Sequence, residues 1–324
     1  MGELKESRRW GVRRLLISAF LLFILFIGYR VLTVYTVRSG ECRPRPIDPK
    51  RRLLTRTEGG TLVSYPERVG FPAQTRPLLV MTYNIAGHDE LWRENHIARI
   101  AAVINQNKPD IVGLQEVHRG TWQSRFRDQV QELETATGMH GYFAPSYRNG
   151  RGEFGNLILT RGEILSSDVH ELPSVGEPRA LLETVLRIDG MTLDVYDTHL
   201  TTWAKLNRRN RREQLVCVSR HVQTSARPYL LMGDFNAPPD APEVMEFRAS
   251  HAAQICGEEI GISNPALNER IDYIFADYGW RVRSTRVLHD EGPSDHWPVI
   301  AELFWDRAAQ PSLPSEPNHG KPVS

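Results

Sequence analysis

Cysteine is scarce: three residues in 324, Cys42, Cys217 and Cys256, with no metal-ligand spacing among them. So few, so spaced, offer no cysteine-built zinc site and make no obvious disulfide framework. Two of the three are able to pair in an oxidising compartment, but Cys217 falls among the apolar positions of an expected helix and reads as core. A surplus of one charge is missing too, since 40 Lys and Arg stand against 39 Asp and Glu. Such balance argues against a protein that grips any polyanion by charge alone. Tandem repeats are absent, and with them the stacked-repeat architectures.

Long hydrophobic runs are rare as well, and the one that exists is at the front. Residues 15–29 are uncharged and, Ser18 apart, apolar; Lys5, Arg8, Arg9, Arg13 and Arg14 precede them, and after Arg30 the run resumes to Val37. A stretch of this length suffices for a membrane-spanning helix, with Arg30 close enough to one end to snorkel. It reads as a transmembrane signal anchor at 15–37 behind a basic segment at 1–14. Arg38, Ser39, Gly40 and Glu41 match a signal-peptidase site poorly, and Glu41 is ill suited to precede a lipidated Cys42. The paired Arg8 and Arg9 suggest twin-arginine export, but Gly11 and Val12 depart from the usual continuation. The denser basic cluster lies before the span, which places the following domain on the extracytoplasmic side of a single-pass membrane protein.

Residues 38–76, rich in Arg, Pro, Gly and Thr, read as a linker, and 307–324 as a disordered tail. Between them, 77–306 form one domain. Strands are expected at 78–82, 111–114, 156–160, 181–188, 191–197, 229–234, 270–275, 281–288 and 299–304. Asp189-Gly190 marks a hairpin between two of them. Helices are expected where Ile97, Ile100, Ala101 and Ile104 recur, where Trp122, Phe126, Val130 and Leu133 recur before Gly138, over 206–224, and over 243–249. Arg208, Arg211 and Arg212 share one face of the third helix, and a solvated face outweighs a substrate patch. Arg148 and Arg151, in a Gly-rich loop, either reach a phosphate or face solvent.

The chemistry lies where strands end. In Tyr229–Asp240 an apolar strand breaks at Gly233-Asp234-Phe235-Asn236, so one carboxylate and one carboxamide meet at a strand terminus. An Asx turn explains that pair equally well when it is taken alone. But Asn84, Glu116, His199, Asp272, Asp295 and His296 also stand at strand ends, and gathering several carboxylates without a cation is costly. An oxygen-rich ligand set lacking cysteine suits Mg2+ or Mn2+, and Mg2+ commonly shares its coordination with a substrate phosphate. Strands in hairpins mixed with helices imply an α/β sandwich with its site along one rim.

The ordered motifs TYNI at Thr82, LQEV at Leu114, DTHL at Asp197, GDFN at Gly233, RIDYIF at Arg270 and SDHWPV at Ser294 resemble the endonuclease/exonuclease/phosphatase superfamily. That group spans pancreatic DNase, abasic-site endonucleases, inositol polyphosphate 5-phosphatases and neutral sphingomyelinases. The resemblance runs from about Leu78 to Phe304 and implies a DNase I-like four-layered α/β sandwich. It implies Glu116 as principal metal ligand, with Asn84 and Asp295 beside it. Asp234 would orient or deprotonate the attacking water and Asn236 would hold the scissile phosphate. His296, paired with Asp272, would act as acid–base or phosphate-stabilising group, and His199 would contact phosphoryl oxygens. The chain is therefore expected to be a monomeric, membrane-tethered, Mg2+- or Mn2+-dependent phosphoesterase. Its substrate would be a phosphodiester, either a lipid headgroup or a nucleic acid. A phosphate-binding module without catalysis is the alternative, and the intact motif set argues against it.

Overall fold

The computed structural model describes residues 38–39, 42, 74, 76–149, 151–202, 207–225, 227–250, 253–257, 260–277, 279–289 and 292–306. The expected anchor at 15–37, the basic segment before it and the tail at 307–324 lie outside the described residues. Among the described residues no helix is long and apolar enough to cross a membrane.

Among the described residues the elements run β1 (Arg38–Ser39), β2 (Leu78–Asn84), a short 3-10 turn at Gly87–Leu91, α1 (His96–Asn107), β3 (Ile111–Arg119) and α2 (Gln129–Thr137). They continue through β4 (His140–Asn149), β5 (Gly152–Thr160), β6 (Glu163–Leu172), β7 (Ser174–Val175), β8 (Arg179–Ile188) and β9 (Met191–His199). They close with α3 (Arg208–Gln223), β10 (Tyr229–Asp234), α4 (Pro242–Ser250), β11 (Ala253–Ile255), β12 (Asp272–Asp277), β13 (Trp280–Val287) and β14 (Val299–Trp305).

Two mixed sheets of six strands carry the fold, in the orders β13-β14-β2-β3-β5-β4 and β11-β12-β10-β9-β8-β6. Alternation along each strand divides its apolar residues between two layers. Val80, Ile158, Leu182, Val195, Leu230, Met232 and Ile274 pack in the seam between the sheets. On the outside of the first sheet, Met81, Val112 and Leu114 meet Ile97, Ile100 and Ile104 of α1. On the outside of the second, Leu231, Phe235 and Phe275 meet Leu215, Val218 and Val222 of α3 and Phe247 of α4. Helices thus cover both outer faces, giving the four layers expected.

Most elements match the sequence periodicity. The β8–β9 hairpin turns through Asp189 and Gly190 at φ 49° and 77°, the left-handed pair that a tight hairpin demands. Helix α2 starts later than its apolar spacing suggests. Asp128 caps it, accepting from the Val130 and Gln131 N–H groups at 3.1 Å. Just upstream, Arg125 and Phe126 adopt φ 54° and 60°, which no helix tolerates, so Trp122 and Phe126 fall in a loop and are exposed. Strands β4 and β6 carry no clear strand signal because both lie at sheet edges. Pro145 sits at a bulge in β4, where its missing N–H does no harm, and β6 alternates exposed polar residues. The Gly-rich loop expected before residues 156–160 is the hairpin between β4 and β5, with Arg148 paired to Glu153 at 3.2 Å.

Two further expectations are corrected. Arg211 is not solvated: it is buried, and its Nε and Nη2 donate to Glu243 Oε1 of α4 at 3.0 and 2.9 Å. Arg208 and Arg212, more exposed, pair with Glu243 and Glu246, so the arginine face is the seam between two helices. Cys217 is not a free core thiol: it is bonded to Cys42, 175 residues away, and Cys256 is the free, buried one. Within the span expected as a linker, β1 also pairs with β7, and Arg76 donates to both Asp110 oxygens at 2.7 and 2.9 Å.

Candidate active site

Sheet register assembles the site. In the second sheet Asp234 is paired with His199 on one side and Asp272 on the other, so three residues remote in sequence lie side by side across three strands. All three share strand parity with seam residues: Asp234 with Leu230 and Met232, His199 with Val195, Asp272 with Ile274. In the first sheet, Asn84 follows Val80 by the same rule. Parallel pairing of β2 with β3 and of β9 with β10 brings their C-terminal ends to one rim. The Ser294-Asp295-His296 loop joins that rim because Ser294 Oγ donates to the Asn84 carbonyl at 2.7 Å.

Glu116 reaches the rim through a bulge. Between Leu114 and Val117 the β3–β5 register shifts, and Glu116 takes φ 61°. Gly155 lies opposite, where a Cβ would sit 1.9 Å from the Ala144 carbonyl oxygen. Asn84 Nδ2 then donates to Glu116 Oε1 at 3.2 Å and to Asp234 Oδ2 at 3.1 Å, joining the two sheets at one amide.

Asp234 divides its oxygens between two tasks. Oδ1 accepts from the Asn236 N–H at 2.8 Å, the Asx turn that the sequence allows. Oδ2 faces His199 Nε2 at 3.5 Å and His296 Nε2 at 3.8 Å. Turn and site are one structure. β10 ends at Asp234, so two-residue alternation stops there: Asn236 has φ 51°, and its Nδ2 donates to the Leu200 carbonyl at 3.1 Å. Gly233 at φ 145° is required, since a Cβ there would lie 1.9 Å from the Thr198 carbonyl oxygen.

The protonation pattern is set by burial and neighbours. Burial pushes the Asp234 carboxyl up to about 7, with the Asp272 charge adding to it. Burial opposes charge on His296, yet Asp272 Oδ2 at 2.8 Å from its Nδ1, with Asp234 and Asp295 behind, raises it to about 10. Burial and then the Arg179 guanidinium, whose Nη1 lies 2.9 Å from Nδ1, keep His199 well below its ordinary value. Burial would raise the Glu116 carboxyl, but His88, His199 and Asn84 hold it well below the usual carboxylate range.

Every residue expected at the site lies along this rim. Asp295 is the most exposed of them, and its charge, like that of Glu116, raises His88. Residues that sequence reasoning passed over complete the surroundings. His88 Nδ1 lies 3.4 Å from Glu116 Oε2, Arg179 holds His199, and Ser263 Oγ donates to Asp272 Oδ2 at 2.6 Å. Asn264 Nδ2 lies 2.9 Å from His296 Nε2. Ser263 and Asn264 come from an irregular stretch with no local signal, whereas Gln115 and Asp197, joined at 2.6 Å, lie inside recognised motifs.

The donor set fits a hard divalent cation. Glu116 is ionised, Asp295 is an exposed carboxylate, and Asn84 contributes a carboxamide, all oxygen ligands. As placed, Asn84 Oδ1 accepts from the Ala86 N–H at 3.1 Å, so coordination by that oxygen needs the amide turned over. Asp234, Asp272 and His296 also present ligand atoms within 4.8 Å of one another. Within that trio His296 Nδ1 is already paired with Asp272 Oδ2 at 2.8 Å.

A two-sheet sandwich with an ionised carboxylate, paired imidazoles and a carboxamide on one rim defines the metal-dependent phosphoester hydrolases. The Endonuclease/Exonuclease/phosphatase family model matches residues 81–296, and the chain belongs to that family. No curated protein matches it. Among solved structures it is similar to an endonuclease/exonuclease/phosphatase from Beutenbergia cavernae, at 25% identity and TM-score 0.62 over 72% of each chain. It shares the fold of the human Nocturnin catalytic domain with bound sulfate, at 22% identity and TM-score 0.58, covering 71% of this chain and 94% of that one. It also shares the fold of D. rerio TDP2 complexed with single-strand DNA product, at 20% identity and TM-score 0.58, covering 70% and 98%.

Proposed function

We propose that this phosphoesterase is a membrane-tethered, Mg2+-dependent phosphodiesterase whose substrate is a lipid headgroup. The observation that carries the catalytic part is the convergence of Asn84 on both Glu116 and Asp234, with His199 and His296 facing the same Asp234 oxygen.

Glu116, with Asn84 and Asp295, would hold Mg2+ or Mn2+, which when bound neutralises phosphate charge and lowers the pKa of bound water. Asp234 is placed to orient the attacking water and receive its proton. His296, charged and held by Asp272, stabilises negative charge on the phosphoryl group or donates to the leaving oxygen. His199, neutral and fixed at Nδ1 by Arg179, presents Nε2–H to a phosphoryl oxygen. Asn236 offers its carboxamide to the scissile phosphate. No covalent nucleophile is needed, because phosphoryl transfer rests on positioning and charge.

Support for a lipid comes from the rim. Trp92, Trp122 and Phe126 are 78%, 55% and 76% exposed, and among the described residues they are the strongly exposed aromatics. Trp92 follows the turn that carries His88, and the Trp122 loop follows the strand that carries Glu116. Arg125 Nη2 donates to the Leu91 carbonyl at 2.9 Å, drawing the two loops together. Exposed tryptophan and phenylalanine beside arginine suit the headgroup layer of a bilayer. The near-neutral composition favours that reading over a nucleic acid. The apolar run at 15–37 supplies a tether, and the Cys42–Cys217 bond accords with an oxidising, extracytoplasmic location.

The test is a parallel panel of plasmid, RNA, sphingomyelin, glycerophospholipids and inositol phosphates, run with full-length protein in detergent. Vesicle substrates should be cleaved with Mg2+ or Mn2+, with loss of activity in Glu116→Ala, Asp234→Ala and His296→Ala. Trp92→Ala/Phe126→Ala should lower cleavage of vesicles and spare a soluble aryl phosphodiester. Full activity in excess chelator would exclude the metal requirement, and preference for plasmid or RNA would exclude the lipid. Phosphate binding with inactivity throughout would leave a binding module.

A further inference from the structure

Asn264 is buried at the catalytic rim and has no role in the mechanism above. It stands at the foot of the exposed turn 265–268, and its Nδ2 lies 2.9 Å from His296 Nε2, itself buried. Nε2 is the working edge of that ring, because Nδ1 is committed to Asp272 Oδ2 at 2.8 Å.

The backbone around Asn264 is fastened on both sides of the Asp272–His296 pair. Ser263 Oγ donates to Asp272 Oδ2 at 2.6 Å and accepts from the Ile271 and Asp272 N–H groups, each at 3.0 Å. The Ser263 carbonyl accepts from the Trp297 N–H at 2.7 Å, one residue beyond His296. Asn264 and Glu269 close the turn with paired backbone bonds of 3.0 and 3.2 Å.

A separate contact orients the amide. Oδ1 accepts from the Leu267 N–H at 2.9 Å, and only the oxygen can face that donor, so the NH2 end is the one turned toward His296. A ring with a bare Nε2 accepts from it. The proposed mechanism places a proton on Nε2, and then two donors point at each other with no acceptor between them. Turning the amide over would set its NH2 against the Leu267 N–H, so one conflict would replace the other. A substrate oxygen removes the conflict: about 2.9 Å from each nitrogen, it completes a near-equilateral triangle and accepts two hydrogen bonds.

We propose that Asn264 is a substrate-contacting residue, and that its Nδ2 and His296 Nε2 jointly hold one oxygen bonded to the scissile phosphorus. The assignment rests on the phosphoester reading of the site. Asn236, the carboxamide that the family resemblance sets against the phosphate, already donates to the Leu200 carbonyl at 3.1 Å. Asn264 adds a second carboxamide, fixed before substrate arrives, so its donor needs no reorganisation. Sharing an oxygen also couples the two donors: neither has its full effect without the other.

Inorganic phosphate is the probe, titrated by calorimetry into full-length protein in detergent with Mg2+ present. Two variants separate contact from folding. Asn264→Leu removes both ends of the amide, whereas Asn264→Asp keeps an acceptor for Leu267 and replaces the donor by an oxygen. Both should weaken phosphate binding by about tenfold or more. Only Asn264→Leu should lower the melting temperature in the absence of phosphate. Turnover of a soluble aryl phosphodiester should fall in both. On a His296→Ala background, Asn264→Leu should weaken phosphate by less than about threefold further, because the shared oxygen has already lost one of its two donors. Unchanged phosphate affinity in folded Asn264→Leu protein, or full additivity with His296→Ala, would overturn the proposal and leave the phosphoester site standing. A native protein that binds no phosphate would overturn the proposal and that site together.

Discussion

Gln115 Nε2 donates to Asp197 Oδ1 at 2.6 Å in the seam between the sheets, directly beneath the catalytic rim. Gly113 makes the space, since a Cβ there would lie 2.3 Å from that same Asp197 oxygen. Burial, and then the charges of Asp234 and Asp272, raise the Asp197 carboxyl well above its ordinary value, while the Gln115 hydrogen bond works against the rise. A folded-state pKa above the unfolded one means that the native protein binds more protons between the two values. Stability therefore falls as pH rises above the usual carboxylate range. Asp197→Asn should keep the fold and flatten this fall, read as melting temperature against pH. Gly113→Ala should cost about 1–3 kcal/mol through overpacking.

Asp272 acts on the reaction through His296. With Asp272→Asn, His296 loses its 2.8 Å carboxylate partner and its pKa should drop from about 10 toward the ordinary histidine range. Turnover should fall by roughly 100-fold, with KM changed much less, and the alkaline limb of the rate profile should move to lower pH. An unmoved limb would remove His296 from the proton-transfer step.

The α3–α4 seam rests on a buried ion pair. Arg211→Met strands Glu243 in the interior and should destabilise by about 3 kcal/mol. Arg208, 3.3 Å from Glu243 Oε2, limits the damage. Arg211→Met/Glu243→Met should recover most of the loss in denaturant titrations, because the seam then closes with apolar groups.

Joining Cys42 to Cys217 closes a long loop, so reduction or Cys217→Ser should lower stability by about 2–4 kcal/mol. The melting temperature should fall on adding reductant to the native chain and stay constant in the variant. Hydrolysis should survive in both at temperatures below the melt, since the bond lies away from the rim.

Local chemistry made much of this protein legible. Apolar runs of strand length, helical spacing in α1 and α3, and Asp189-Gly190 at the hairpin depend on near neighbours, and the structure reproduces them. The motif residues at strand ends also declare themselves, because a carboxylate interrupting an apolar run has few structural explanations. Trp122 and Phe126 mislead for the same reason in reverse: their spacing is helical, but left-handed Arg125 and Phe126 and the Asp128 cap decide otherwise.

What the sequence by itself determined is which residues are polar at the ends of buried strands, since alternation and turn chemistry operate over a few residues. Tertiary structure alone decided their company. Asn84 reaches Asp234 across 150 residues, a bulge delivers Glu116, Arg179 fixes the His199 tautomer, and Cys42 finds Cys217. Those contacts follow from strand register and sheet packing, which arise from the whole buried core and leave no mark in any short window of chain.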